Sequence, residues 1–242
     1  NTIHTAEMEK AELIAKYQAK PNADNDKNKP VIAAMMETLD INVGRILNTL
    51  DELKLTENTI VIYFSDNGAG GNSNVLKPLR GAKANLYEGG IRVPMLVRWP
   101  GVVDQAALCG VPVISTDFFP TFLEAAGMKV DDPNVDGKNL IPLLKGAKQL
   151  DRDALYWHFP HRNGHGAIRA GKYKLIEWFF KSIDGIDTPG AIELYDLEND
   201  ISEQNDLVNK MPKKANELYR KLRQWRKDVG AQDMPRNPNF KT

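Results

Sequence analysis

Two adjacent oxygen-bearing side chains end an apolar run in the first third of the chain. Asp66 and Asn67 follow the run "TIVIYF" closely, and Gly68, Gly70 and Gly71 come next. A carboxylate and an amide carbonyl are hard oxygen donors, which suit Ca²⁺ or Mg²⁺ better than zinc. The glycines would let the backbone turn sharply beside a bound group. The pattern therefore predicts part of a divalent-metal site, and a plain Asp-Asn-Gly turn is the alternative.

Four cations separated by glycines follow in "LKPLRGAKANLYEGGIRVP". They are Lys77, Arg80, Lys83 and Arg92. Sulfate and phosphate esters develop negative charge on their oxygens during cleavage, and fixed positive groups beside a divalent metal stabilise that charge. The stretch therefore predicts a site for an anionic, tetrahedral group. A solvated basic loop is the alternative, in which Glu88 and Arg92 only pair and brace the turn.

Three histidines cluster with two arginines further along, in "YWHFPHRNGHGAIR". They are His158, His161 and His165, with Arg162 and Arg169. The spacing admits a zinc site but lacks a firm ligand pattern. Packing combined with a loop that faces the substrate explains the cluster better. On this interpretation His161, Arg162 and His165 are the candidates to touch the organic part of an ester.

The composition is that of a globular protein without a strong charge preference. Of the 242 residues, 42% are hydrophobic and 26% are charged, and 32 Lys and Arg balance 32 Asp and Glu. No global field therefore favours nucleic acid or an anionic membrane, and any anion site has to be local. No apolar run approaches the roughly 18 residues of a membrane-spanning helix. The single Cys109 forbids an internal disulfide and is expected to be a small packing residue.

The elements that must position these side chains alternate between helices and strands in the first part of the chain. Apolar residues recur at three- and four-residue steps over 31–53, which predicts a long amphipathic helix before the strand "IVIYF". Nearly continuous apolar runs suit strands that are covered on both faces, as in a parallel sheet. The segments 91–101 and 110–116 are further strand candidates, and 117–127 is predicted to be a short helix capped by Asp117.

The pattern changes near residue 150. Short aromatic-rich runs separated by Gly, Pro and Asp turns predict an antiparallel sheet over 154–197, and an amphipathic helix follows at 213–229. We therefore predict an α/β fold with two parts. Residues 1–148 would form part of a mainly parallel sheet flanked by helices, and residues 149–242 a small α+β subdomain with an antiparallel sheet and a closing helix.

Three stretches of this chain, taken together, strongly resemble the formylglycine-dependent sulfatases, the arylsulfatase family of the alkaline-phosphatase-like superfamily. They are "TIVIYFSDNG", "PLRGAKANLYEGGIRVPMLVRWPG" and "STDFFPTFLEAAG". The resemblance continues in the family's order through "NLIPLLKG", "AIRAGKYKLIE" and "ELYDLENDISEQNDL" and covers nearly the whole chain. The motif "SDNG" alone is weak. Followed at this spacing by G-x-K-x-x-x-x-E-G-G-x-R-x-P, it is highly specific.

The resemblance implies roles for four residues. Asp66 and Asn67 match the family's second pair of metal ligands, usually to Ca²⁺, with Mg²⁺ as the other ion considered. Lys83 matches the lysine that grips the sulfate and its leaving oxygen. His4 is similar to the histidine of the family's H-T-P segment, which contacts the sulfate, although Ala6 replaces the proline here. The implied activity is hydrolysis of sulfated glycans or aryl sulfates, in the periplasm or outside the cell.

Parts of the family's pattern are absent from this chain. No C-x-P-S-R or C-x-A-x-R segment is present to supply the formylglycine nucleophile, and Cys109 does not match one. The first pair of metal-binding Asp residues is missing, as are the Lys and His that assist the leaving group. The chain is therefore expected to be the C-terminal half of a sulfatase and inactive alone. Its expected partners are a sulfate ester, preferably a carbohydrate, and the N-terminal half of the same enzyme.

Two other functions stay open from the sequence. A phosphomonoesterase or phosphonate hydrolase could use the same scaffold. Two-metal phosphatases of that fold, however, prefer Asp-His where this chain has Asp66-Asn67, and an Asn argues for one hard cation. A non-catalytic module that keeps the fold would explain the missing nucleophile, but the retained Asp66, Asn67 and Lys83 speak against it.

Overall fold

The computed structural model describes residues 4, 6–23, 29–70, 76–161, 164–179 and 191–232. The chain folds into two compact units that alternate along the sequence. The first unit comprises residues 1–64 and 94–108, and the second comprises residues 65–93 and 109–242. The chain therefore passes from one unit to the other three times. The boundary at residue 148, predicted from the change of sequence pattern near residue 150, stays a prediction.

The first unit contains two helices and a two-stranded sheet. Helix α1 spans Ala11–Gln18, helix α2 spans Pro30–Glu52, and strands β1 and β2 span Val61–Phe64 and Met95–Arg98. Proline fits at the first position of α2 because that position has no intrahelical partner for an N–H group. The long helix predicted over 31–53 is confirmed.

Strands β1 and β2 confirm two predicted strands but not their predicted direction. They pair antiparallel, with Val61 opposite Arg98 and Phe64 opposite Met95. Both sheets of the described residues are antiparallel, so these residues do not form the mainly parallel sheet that was expected. A nearly continuous apolar run is typical of strands in parallel sheets, but it does not exclude antiparallel pairing. The α/β class itself is confirmed.

The second unit carries a four-stranded antiparallel sheet and a closing helix, as predicted. Its helices are the one-turn α3 at Glu88–Ile91, α4 at Phe118–Ala125, the one-turn α5 at Ile141–Leu144 and α6 at Pro212–Asp228. Its strands are β3 at Leu155–Phe159, β4 at His165–Ala170, β5 at Tyr173–Trp178 and β6 at Ile192–Asp196, in the spatial order β3-β4-β5-β6. Helix α6 begins at a proline and is followed by Gly230 with a φ of +62°.

Side chains alternate across this sheet and give it two different faces. One face packs against α6. Its buried cluster consists of Ile168, Leu175, Leu194, Ala215, Leu218, Tyr219 and Leu222. The opposite face packs against the residues that precede α3. Its buried cluster consists of Leu86, Tyr87, Ala167, Ile176, Tyr195 and Leu197. The sheet therefore anchors the stretch in which the predicted cations lie.

The stretch before α4 differs from the sequence-based expectation. Residues 110–116 contain no strand. Asp117 precedes α4, but its side chain makes no capping hydrogen bond to that helix. The buried carboxylate instead accepts hydrogen bonds from the N–H groups of Ile114 and Lys138, both at 2.9 Å, and pairs with Arg152. Asp117 therefore ties three separate stretches of the second unit together.

Two expectations drawn from composition can be compared with the structure. Cys109 is exposed, so the packing role expected for it was wrong. Within the ranges that the structure describes, no helix is long and apolar enough to cross a lipid bilayer.

Candidate functional site

The two predicted metal ligands lie just after β1, in residues 65–70, which we name the Asp-Asn segment. Asp66 is exposed and Asn67 is partly exposed, so both side chains can reach a ligand from solvent. The Ser65 hydroxyl donates a hydrogen bond to the backbone carbonyl of Asn67 at 3.0 Å. This bond fixes the turn that presents the two oxygen donors.

The Asp-Asn segment lies against residues 76–92, which carry the four predicted cations and are named the basic segment. Two backbone hydrogen bonds join the segments. Gly68 N–H donates to Gly90 O at 2.9 Å, and Lys83 N–H donates to Ala69 O at 3.0 Å. The structure thus brings the backbone of Lys83 directly beside the stretch that holds the two predicted metal ligands.

Glycines make this close approach possible. A Cβ atom on Gly68 would lie 1.8 Å from Gly89 O, and one on Gly90 would lie 1.9 Å from Asn85 O. Gly81 has a φ of +77°, a conformation that L side chains rarely adopt. The glycines that separate the cations in the sequence are therefore required by packing as well as by turning.

Two of the four predicted cations serve the fold. The guanidinium of Arg80 lies 3.9 Å from the ring centroid of Tyr87 and donates to the hydroxyl of Tyr195 at 3.0 Å. Arg92 Nη1 lies 3.4 Å from Glu88 Oε2, which is the bracing pair considered from the sequence. These two arginines therefore hold the basic segment in place.

Lys83 has a different environment from the two arginines. It is exposed, and it lies in a turn whose next residue, Ala84, has a φ of +67°. Lys77, at the start of the basic segment, is exposed as well. Lys83 thus combines an exposed side chain with a direct backbone link to the Asp-Asn segment.

His165 belongs to the interior of the second unit. It is 2% exposed, and its Nε2 accepts a hydrogen bond from the N–H of Leu86 at 3.1 Å. Burial lowers the pKa of His165 to about 4, so the ring is neutral at pH 7 and can accept this bond. This position contradicts the substrate contact predicted for His165. The residue supports the basic segment from β4 instead.

The other residues of the histidine cluster are dispersed. His161 is exposed, with its ring edge-on to Phe159 at a centroid distance of 5.3 Å, and its substrate contact stays a prediction. Arg162 lies outside the described residues. His158 Nε2–H donates to Gln232 O at 2.7 Å. No group of three or more His, Cys, Asp or Glu that could hold a metal ion occurs among the described residues, so the histidines do not form the zinc site considered.

The donor chemistry of the Asp-Asn segment fits a hard cation. Ca²⁺ takes six to eight oxygen ligands, so Asp66 and Asn67 would supply only part of its coordination sphere. Further oxygen donors are therefore needed to complete such a site. His4, the residue implied to contact the sulfate, is exposed and belongs to the first unit, and its role stays a prediction.

A buried charge cluster of three residues, not predicted from the sequence, contacts the basic segment. Lys174 of β5, Glu88 of α3 and Glu203 are each at most 1% exposed. Lys174 Nζ lies 2.9 Å from Glu88 Oε1 and 2.8 Å from Glu203 Oε1. Burial raises the pKa of Glu203, and the Lys174 ammonium opposes that rise. The available signal was a lysine within the apolar run "YKLIEW", where β-strand alternation places it on a covered face.

Two family models match the chain, and together they cover most of it. The model described as Sulfatase matches residues 3–128, and the model described as N-sulphoglucosamine sulphohydrolase, C-terminal, matches residues 82–229. The chain is 33% identical over 254 residues to a sulfatase of Formosa agariphila, covering 93% of this chain and 44% of that protein. It is 31% identical over 226 residues to human arylsulfatase A, covering 84% of this chain and 43% of that protein.

Solved structures show the same fold. The crystal structure of Ps i-CgsB in complex with k-i-k-neocarrahexaose superposes with a TM-score of 0.79 at 29% identity, covering 93% of this chain and 48% of that one. A structure solved in complex with its substrate D-glucosamine-2-N,6-O-disulfate gives a TM-score of 0.66 at 27% identity, covering 92% and 46%. The chain spans less than half the length of each of these relatives.

Proposed function

Because the chain belongs to the sulfatase family, we propose that it is the C-terminal part of a sulfuric ester hydrolase, with Asp66, Asn67 and Lys83 at the reaction site. One observation carries the proposal. The hydrogen bond from Lys83 N–H to Ala69 O, at 3.0 Å, holds the backbone of Lys83 against the stretch that carries the two oxygen donors. This backbone contact supports the proposal, because a tetrahedral anion would bind between the Lys83 ammonium and a divalent metal held nearby.

The proposed roles follow from the chemistry of each side chain. Asp66 and Asn67 would hold Ca²⁺, or Mg²⁺ in its place, and a bound divalent ion neutralises charge on ester oxygens. Lys83 would donate hydrogen bonds from Nζ to the sulfate and would stabilise the negative charge that develops on the leaving oxygen. For His4 we propose the role that the resemblance implies, a contact with the sulfate. The nucleophile would be a formylglycine in the N-terminal half of the enzyme.

Sulfated carbohydrate is the substrate class that we propose, with aryl sulfates as the second choice. The support comes from the relatives. One similar protein is named N-acetylglucosamine-6-O-sulfatase, from Bacteroides thetaiotaomicron, and is 30% identical to the chain over 211 residues. The exposed His161 and the neighbouring Arg162 would contact the sugar. We place the enzyme in the periplasm or outside the cell.

The test uses the full-length enzyme that carries this chain. Lys83→Met removes the charge and keeps a long side chain, so turnover of 4-nitrophenyl sulfate and of sulfated oligosaccharides should fall about 100-fold, as for loss of one oxyanion donor. The control is Lys129→Met, a variant of another exposed lysine of the second unit, which should retain wild-type turnover.

Two outcomes would contradict the proposal. Wild-type rates in Lys83→Met would remove this residue from the reaction site. Faster cleavage of 4-nitrophenyl phosphate than of the sulfate by the wild-type enzyme would favour a phosphomonoesterase instead.

A further inference from the structure

We propose that Lys174 is a positioning residue for the reaction site. Its ammonium is held between Glu88 and Glu203, and through Glu88 it fixes the basic segment, and with it Lys83, against the Asp-Asn segment. The inference rests on the proposed function, because it assigns an effect on turnover to a residue that touches neither metal nor substrate.

A chain of short contacts leads from Lys174 to the site. Lys174 Nζ lies 2.9 Å from Glu88 Oε1, and Glu88 begins α3 in the basic segment. Two residues further on, Gly90 O accepts the hydrogen bond from Gly68 N–H at 2.9 Å. Gly68 follows Asn67 directly, and the carbonyl of the next residue accepts the hydrogen bond from Lys83 N–H. A displacement of α3 would therefore move both predicted halves of the site.

Glu203 holds α3 from the other side. Its Oε2 accepts a hydrogen bond from Glu88 N–H at 2.7 Å while its Oε1 contacts Lys174 at 2.8 Å. The second carboxylate oxygen of Glu88 faces two arginines, Arg92 at 3.4 Å and Arg169 at 3.8 Å. Helix α3 is thus fixed through both the backbone and the side chain of Glu88.

Burying this charge cluster costs free energy of folding. Three buried charges must be desolvated, and apolar side chains of similar volume often give equal or greater stability. Glu203 also has a φ of +52°, which a non-glycine residue adopts only with strain. Buried charge and backbone strain at one place, directly behind a proposed reaction site, point to a requirement for geometry rather than for stability alone.

The chain offers a matched control on the other face of the same strand. Arg226 of α6 lies 2.9 Å from Glu177 Oε2, and Glu177 of β5 is 3% exposed. Lys174→Met and Arg226→Met both leave a buried carboxylate of the second unit without its cation. Both variants should therefore lower the melting temperature of the full-length enzyme.

Only one of the two variants should alter the site. At a temperature where both are folded, Lys174→Met should lower kcat for sulfate esters about tenfold or more, because small misplacements of reacting groups are costly. Arg226→Met should keep kcat within about twofold of the wild type. Amide hydrogen exchange should accelerate at Gly68 and Lys83 in Lys174→Met and stay unchanged there in Arg226→Met.

The outcomes separate the positioning role from the proposed function. Equal kcat values and equal exchange at Gly68 and Lys83 in the two variants would overturn the positioning role. A wild-type enzyme without turnover on any sulfate ester would refute the proposed function, and hydrogen exchange would then decide the positioning role.

If Lys174→Met does not fold, Glu203→Gln takes its place. This variant weakens the contact with Lys174, keeps an acceptor for Glu88 N–H, and should shift both measurements in the same direction by less.

Discussion

Whether a side chain of this protein can contact a ligand depends on its burial as well as on its residue type. His165 and His161 are four positions apart, and both were candidates for a substrate contact. The structure buries His165 beneath Leu86 and leaves His161 exposed. A sequence shows that an imidazole is present but not whether solvent reaches it. The Asp-Asn pair was recognised from two adjacent oxygen donors after an apolar run, and its role as a metal site stays a prediction.

The buried His165 predicts how stability depends on pH. Its pKa is about 4 in the folded chain and about 6.5 when unfolded, so the unfolded chain binds the extra proton between these values. This contribution to stability is complete above pH 6.5 and is lost as the pH falls towards 4. The two pKa values differ by about 2.5, so protonation of this histidine should lower the free energy of unfolding by at most about 3 kcal/mol.

The measurement is urea unfolding of the full-length protein at several pH values between 7 and 4. His165→Gln keeps an acceptor for Leu86 N–H but does not titrate, so its stability should fall less over this range than that of the wild type. His161→Gln, at an exposed position, should retain the wild-type pH dependence. Parallel curves for the wild type and His165→Gln would show that the buried ring has no such effect.

At the level of elements, periodicity predicted most of the architecture. Helices α2 and α6 followed from three- and four-residue spacing, and strands β3 to β6 from short runs between turns. Periodicity could not predict which strands pair with each other or in which direction. The direction of β1 against β2 and the absence of a strand at 110–116 depend on neighbours far along the chain. The role of Lys174 depends in the same way on its contacts with α3 and Glu203.

The contact between the Asp-Asn segment and the basic segment can be tested by adding one methyl group. In Gly68→Ala, the new Cβ would meet the backbone oxygen of Gly89 at 1.8 Å, so the segments must separate. We expect the free energy of unfolding to fall by about 1–3 kcal/mol and turnover to fall at least tenfold.

The matched control for this variant lies in the same segment. A Cβ on Gly70 would meet no atom within 4 Å, so Gly70→Ala should keep both stability and turnover near the wild-type values. Chemical denaturation and steady-state kinetics of the full-length enzyme measure the two effects. If Gly68→Ala behaved like Gly70→Ala, the close approach of the two segments would not exist in solution.

At the scale of the whole molecule, several large apolar side chains of the described residues are exposed to solvent. On α2, β2 and α4, and at the third residue after α4, those more than 45% exposed are Ile41, Ile46, Leu96, Phe119, Phe122 and Met128. Large apolar side chains that are exposed in both units are candidates to be covered by another part of a larger assembly. Since the chain spans less than half the length of its relatives, we expect the N-terminal half of the proposed enzyme to cover these side chains.

This expectation concerns the behaviour of the chain when it is produced alone. The 242-residue chain should bind the dye ANS strongly and should self-associate, because its exposed apolar side chains lack their cover. The full-length enzyme should do neither. Fluorescence titration and light scattering after size-exclusion chromatography measure both properties. A monodisperse, monomeric chain with no more ANS binding than the full-length enzyme would contradict the expectation.

The alternation of the two compact units along the sequence limits how the protein can be dissected. Residues 94–108 belong to the first unit but interrupt the second, so no single truncation or protease cut can release either unit intact. A gene fragment for the second unit would need a short linker in place of that insertion, joining Val93 to Cys109. Simple terminal deletions cannot produce this design, since they either retain β2 without its partner β1 or remove residues of the second unit.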